Sequence, residues 1–369
     1  MRAKIFISIF IAALILPFAL YAVFGQFTDK TNYENRTMTS FADVLSSKIE
    51  KMPSAFEDWL NDSAPFRNEF MTLNAAINLD VFGTIQSGEV LLGQDDWLFY
   101  KNVSDSKSLD DYQGLNPYSD EQLKQIADNL TALNDALSAK GVKFALILAP
   151  NKERVYSRYM PSSVPVVGAA KTDLLMEYLA ENTNVNVIYP KTELEAAGEA
   201  QQVYYKYDTH WNEAGAFIAV KQLESALYGD SDMFNNISFA KGGKTEKVDL
   251  ANISSTNKLL PDDYDFSCEG FLEDVKADIK DTDGTGYVTN CTSNAESGKT
   301  LLMLRDSFGS AMLPTISKCY DTASIIHLNA FEKAAPAASG NTVFVWELAE
   351  RSTDRLIDYL PKLVEWAQI

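Results

Sequence analysis

The stretch Val142 to Ala149 constrains the fold most. It is apolar at every position but Lys143, and it follows Glu121 to Lys140, where Leu123, Ile126, Leu130, Leu133 and Leu137 recur at helical spacing until Gly141 stops the helix. A short apolar run without polar alternation fits a strand covered on both faces. Strands of that kind belong to parallel sheets, whose crossover connections are helices.

The same alternation continues along the chain. Ala170 to Glu181 reads as a helix, Val185 to Tyr189 as a strand, Pro190 to Ala200 as a helix, Val203 to Tyr207 as a strand and Glu213 to Leu227 as a helix. Gly229 to Lys299 is rich in Asp, Gly, Asn, Ser and Thr, and reads as a small β-rich insertion. Then come a strand at Thr300 to Leu304, a helix at Phe308 to Lys318, strands at Ala323 to Leu328 and Thr342 to Leu348, and a helix at Thr353 to Trp366. The expected fold class is therefore α/β, a parallel sheet with helices on both faces. Upstream, Glu89 to Tyr100 predicts a hairpin turning at Gln94-Asp95-Asp96, and Ala55 to Leu79 predicts two helices parted at Pro65.

Arg2 and Lys4 precede Ile5 to Phe24, an apolar run without a charged side chain. About 20 such residues span a bilayer as a helix, and basic residues on the short side hold that end in the cytoplasm. The competing reading is a cleaved signal peptide. Either way, the chain beyond about residue 26 lies outside the cytoplasmic membrane. The expected layout is an anchor or signal at 1–25, a polar tether at 26–54, and one domain at 55–369 with its insertion at about 229–299. A net charge of −19 over 369 residues excludes the basic face that nucleic acid or anionic lipid would need.

Cys268, Cys291 and Cys319 show no metal-ligand spacing, and only two histidines accompany them, so neither a metal nor another cofactor is expected. In an exported chain Cys268 and Cys291 are candidates for a disulfide, with free thiols as the alternative.

The chemistry is carried by Asp208, His210 and Ser307. A serine hydroxyl is a poor nucleophile unless a base lies within hydrogen-bond reach and a further group fixes that base's tautomer. His210 is the natural base, because His327 lies within an apolar strand. Asp208, two residues away in an extended segment, projects to the same side. Ser307 would sit where a strand turns into a helix, beside free backbone N–H groups able to hold an oxyanion. Asn151 and Lys152 directly follow a buried strand and point to the site face of such a sheet. Asn329, just past another strand, is a further candidate oxyanion donor.

Asp208-Thr209-His210-Trp211-Asn212 followed by Arg305-Asp306-Ser307-Phe308-Gly309 resembles the SGNH-hydrolase-like family of the alginate O-acetylation proteins (AlgX/AlgJ-like) and the related DHHW proteins. Gly93, Trp97 to Tyr100, Ala149 to Lys152, Tyr156, Pro161, Glu347 and Glu350-Arg351 support the likeness, which runs from about residue 35 onward. The resemblance implies a flavodoxin-like SGNH fold with permuted motif order, and Ser307, His210 and Asp208 as a triad. It suggests Asn151, Lys152, Trp211, Arg305, Asn329 and Glu347 as substrate-binding residues. It implies transfer or removal of acetyl groups on a secreted or cell-surface polysaccharide, with a membrane-bound O-acyltransferase as acetyl supplier. The serine block reads Arg-Asp-Ser where hydrolases of this type have Gly-Asp-Ser, and a Gly-x-Asn-Asp block is missing. The alternative function is a non-catalytic, membrane-anchored scaffold or glycan-binding protein of an envelope-polysaccharide complex.

Overall fold

The computed structural model describes residues 2–34, 36–101, 107–333 and 340–369. The chain divides into two compact units, Met1–Val90 with Val248–Pro261, and Leu91–Lys247 with Asp262–Ile369.

In the first unit, a helix over Arg2–Phe24 carries the apolar run; Lys4–Phe27 has a mean hydropathy of 2.5 and no buried side chains. It is long and apolar enough to cross a membrane, a test that a signal sequence also meets. Helices Met52–Asp62 and Arg67–Phe82 follow. They part around Pro65 as expected, and Phe66 takes a left-handed φ of 57° there. Arg36 spans Glu34 at 2.8 Å and Asp62 at 2.5 Å, while Arg67 reaches Glu34.

Strands are numbered along the chain: β1 (Val90–Leu92), β2 (Leu98–Tyr100), β3 (Lys143–Ala149), β4 (Asn186–Ile188), β5 (Ser238–Lys244), β6 (Tyr264–Glu269), β7 (Ala277–Asp281), β8 (Val288–Ser293), β9 (Thr300–Arg305), β10 (Thr322–His327) and β11 (Val343–Ala349). The second unit is built on a seven-stranded sheet of order β4-β3-β11-β9-β10-β8-β7. The first five of these run parallel, while β8 pairs antiparallel with both β10 and β7. The β1–β2 hairpin turns through Gln94–Asp96 as expected.

The apolar strands explain the layering. Along β3, Phe144, Leu146 and Leu148 point to one face, against helices Asp120–Ser138, Lys171–Asn182 and Arg355–Gln368. Ala145, Ile147 and Ala149 point to the other, against helix Glu213–Tyr228. Period-two alternation thus feeds two cores from one strand, and each fully buried Leu or Ile contributes roughly 1.5–3 kcal/mol. Helix Asp120–Ser138 opens on a capping box between Ser119 and Gln122, and Gly141 follows it at a φ of 73°.

Four local expectations change. Val203 to Tyr207 is not a strand. Its backbone closes locally, with Tyr205 N–H donated to His210 O (3.1 Å), Asn212 N–H to Val203 O (3.0 Å) and a single bridge between Tyr204 and Trp211. The helix expected at Phe308 to Lys318 is a 3₁₀ turn over Phe308–Met312 and a four-residue helix, Leu313–Ile316. Pro314 has no N–H to continue the ladder. The polar stretch 229–299 forms the β5–β6 hairpin and also lends β7 and β8 to the main sheet. Cys268 and Cys291 are free thiols lying in different sheets, on β6 and β8.

Candidate active site

The carboxyl ends of β3, β11 and β9 lie side by side, and the polar residues that follow them make the site. Ser307 stands just past β9, exposed, at the head of the 3₁₀ turn. Two carboxylates fix that turn. Asp306 Oδ1 accepts the Phe308 N–H at 2.9 Å and its Oδ2 accepts the Ala349 N–H of β11 at 2.7 Å. Glu347 Oε2 accepts the N–H groups of Asp306 (3.1 Å) and Gly309 (3.0 Å). Gly309 is required by this approach: a Cβ there would lie 2.7 Å from Arg305 Cβ and 2.9 Å from Glu347 Oε2. The amides expected to be free for an oxyanion are therefore engaged at 308 and 309.

The loop holding Asp208 and His210 is fixed from beneath by Lys152, whose Nζ donates to the carbonyls of Tyr205 (3.1 Å), Lys206 (3.1 Å) and Asp208 (2.7 Å). Trp211 ties the same loop to the serine turn by donating its Nε1–H to Phe308 O at 2.9 Å. The His210 and Phe308 rings meet at 4.8 Å between centroids.

Between these two supports the three sequence-predicted residues meet. His210 Nδ1–H donates to Asp208 Oδ1 at 2.6 Å, and Ser307 Oγ–H donates to His210 Nε2 at 2.8 Å. The His210 backbone N–H also reaches Asp208 Oδ1, at 3.0 Å. Asp208 is 3% exposed, whereas the His210 side chain keeps 24% of its surface open. An imidazole so bonded can take the hydroxyl's proton while its tautomer stays fixed.

Most of the residues expected on the substrate lie beneath this surface. Trp211 and Glu347 are fully buried, and Lys152, Asn151 and Arg305 are 2%, 3% and 5% exposed. Each is held by backbone partners: Asn151 Oδ1 accepts the Arg351 N–H at 3.3 Å, and Arg305 donates to Asp306 O (3.1 Å) and Gly286 O (2.7 Å). They support from within the loops that carry Asp208, His210 and Ser307. Asn329 is exposed beyond β10, with its backbone N–H donated to His327 Nδ1 at 3.1 Å.

A layer of buried acids completes the underside. Burial holds the Glu347 carboxyl well above its ordinary range, with Asp306 adding to the effect, and burial raises Glu350 too. Burial also pushes Glu153 up to about 8. Glu350 accepts from Asn151 N–H (2.8 Å) and Tyr189 Oη–H (2.9 Å). The sequence places Glu153 in the polar cluster Pro150-Asn151-Lys152-Glu153 at the end of a buried strand but gives it no role, and the positioning work of Asp306 escaped the sequence reading.

Residues 90–252 match the family described as "SGNH hydrolase-like domain, acetyltransferase AlgX". A protein of Pseudomonas putida described as "Probable alginate O-acetylase AlgJ" is 27% identical over 333 residues, 84% of this chain and 80% of that one. Its namesake from Pseudomonas syringae pv. tomato is 28% identical over 201 residues, 53% of this chain and 47% of the relative. The crystal structure of a DHHW family protein from Eubacterium siraeum superposes with a TM-score of 0.51 at 15% identity, over 76% of this chain and 96% of that one, a likeness of fold. The chain is thus a distant relative of probable alginate O-acetylases, and its residues 90–252 are similar to the SGNH hydrolase-like AlgX family.

Proposed function

We propose that the chain is an extracytoplasmic O-acetyltransferase or acetylesterase of a polysaccharide, working through an acetylated Ser307. The observation that carries this is His210 bridging Asp208 and Ser307 at 2.6 and 2.8 Å. Ser307 Oγ attacks the ester carbonyl as its proton passes to His210 Nε2. The tetrahedral adduct collapses, the ester C–O bond breaks, and the leaving alkoxide takes that proton from Nε2. The acetyl group stays on Oγ. A sugar hydroxyl, or water in the esterase direction, then gives its proton to His210 Nε2 and attacks the acetyl carbonyl; the Oγ–acetyl bond breaks, Nε2 returns the proton to Oγ, and the acetylated acceptor or acetate leaves the free serine. Asp208 keeps the Nδ1–H in place and stabilises the imidazolium that forms in both halves. With the amides of 308 and 309 engaged, the oxyanion is taken by the backbone N–H of Ser307 itself and by donors brought with the substrate or a partner.

On this reading the N-terminal apolar helix serves as anchor or signal, the site works on the outer side of the membrane, and a membrane-bound O-acyltransferase is the kind of partner that would supply acetyl groups there. Ser307→Ala tests the proposal: hydrolysis of p-nitrophenyl acetate falls by at least about 10³-fold, and intact mass no longer shows an acetyl adduct. Full activity in that variant removes Ser307 as nucleophile.

A further inference from the structure

We propose that the exposed ring of Tyr287, stacked on His327 beside the triad, is a platform for a pyranose ring of the acceptor glycan. This rests on the reading of Ser307 as the acyl carrier. Tyr287 closes the turn between β7 and β8 and leaves 40% of its surface open. Its ring lies on that of His327 at 4.8 Å between centroids and 23° between planes.

Three bonds fix this pair at the rim of the site. Tyr287 O accepts the His327 N–H at 2.7 Å. Gly286 O accepts from Arg305 Nη2 at 2.7 Å, and the same guanidinium donates from Nη1 to Asp306 O at 3.1 Å, the carbonyl directly before Ser307. In the parallel ladder His327 is the register partner of Arg305. One strand spacing and two residue rises therefore separate the His327 and Ser307 backbones, on the order of 10 Å.

The platform is formed in advance. Asp281 accepts the N–H groups of Gly284 and Gly286, both at 3.0 Å, and Asp283 Oδ1 accepts that of Thr285 at 3.1 Å, so the turn presenting Tyr287 is closed on itself. His327 Nδ1 accepts from Asn329 N–H, and burial together with the Arg305 charge holds the imidazole below its ordinary pKa, so it stacks as a neutral ring. Exposed Asn329 follows at the next step and offers an amide to ring hydroxyls. A flat aromatic face with a polar edge suits the apolar face of a sugar. A fixed face lowers the ordering cost of binding.

The test is binding of hexasaccharides of mannuronate, glucose and N-acetylglucosamine to the full chain by titration calorimetry. Wild type binds at least one of them. Tyr287→Ala weakens that affinity about 3- to 10-fold, the scale of one aromatic contact, and Tyr287→Trp retains it. Equal affinity in Tyr287→Ala overturns the proposal, and so does a wild type that binds none of the three. Circular dichroism of each variant shows whether the turn has kept its fold, and Tyr287→Trp carries the test if the alanine variant unfolds. Binding does not need the serine, so a failed platform leaves the triad standing and an inert Ser307 leaves the platform testable.

Discussion

Lys152→Met removes one ammonium and keeps its apolar stem. Lys152 Nζ reaches three carbonyls of the loop that presents Asp208 and His210, at 2.7 to 3.1 Å, with 2% of the residue exposed. Each hydrogen bond from a charged donor contributes about 1.5–3 kcal/mol. Against that sum stands the several kcal/mol regained when a buried charge is no longer desolvated. The remainder is a loss of about 2–4 kcal/mol in folding stability. The kinetic effect comes through geometry, because Asp208 O is among the three acceptors and the Asp208 carboxylate orients His210. Displacing a catalytic group by about 1 Å costs on the order of 10²-fold. Urea unfolding and p-nitrophenyl acetate kinetics read the two effects, with kcat falling and KM nearly constant. A variant within about 0.5 kcal/mol of wild type, with unchanged kcat, refutes the assignment of Lys152 as the support of this loop.

Gly309→Ala pushes a methyl group against Glu347 Oε2 and Arg305 Cβ, so the serine turn shifts, and kcat should fall by about 10-fold or more with stability down by about 1–3 kcal/mol; an active, fully stable variant shows that the turn yields freely. Glu153 gives a pH dependence of definite sign. Its folded pKa is raised to about 8 from the ordinary 4.5, so the folded state holds a proton that the unfolded chain gives up. The stability this contributes is complete below about pH 4.5 and is lost as pH rises through about 8. Glu153→Gln should therefore gain on wild type as pH climbs, reaching on the order of 4 kcal/mol at pH 8, at about 1.4 kcal/mol for each unit between about 4.5 and 8; urea midpoints at pH 5 and pH 8 check it, and a gap that does not widen refutes the burial argument.

The central strands were legible because they are buried on both faces, which leaves runs at 142–149, 300–304 and 342–348 that are apolar but for Lys143, Glu347 and the opening threonines. Histidine scarcity pointed to His210, and strand ends to Ser307. What could not be read is how polar backbone is satisfied in irregular segments. Val203 to Tyr207 has the composition of a strand, yet Lys152 and Leu98 take its carbonyls and Tyr156 Oη accepts its first N–H, so no ladder forms. Asn151, Lys152, Arg305 and Glu347 look like ligand contacts by charge and position. Their burial comes from partners far away in the chain, which local pattern does not encode. The edge strand β7 and its neighbour β8 were hidden for another reason: both are short and largely polar, and four of the five residues of β7 are exposed.

The place of β11 in the sheet order has a consequence for biogenesis. Synthesised last among the strands, it lies between β3 and β9 and pairs with both. Until it emerges, the two halves of the parallel sheet have no common seam, and Asp306 lacks the Ala349 amide that steadies the serine turn. Such late, long-range closure makes folding slow and nearly all-or-none. The turn carrying Ser307 therefore gains its last support only when the final strand of the sheet has been made.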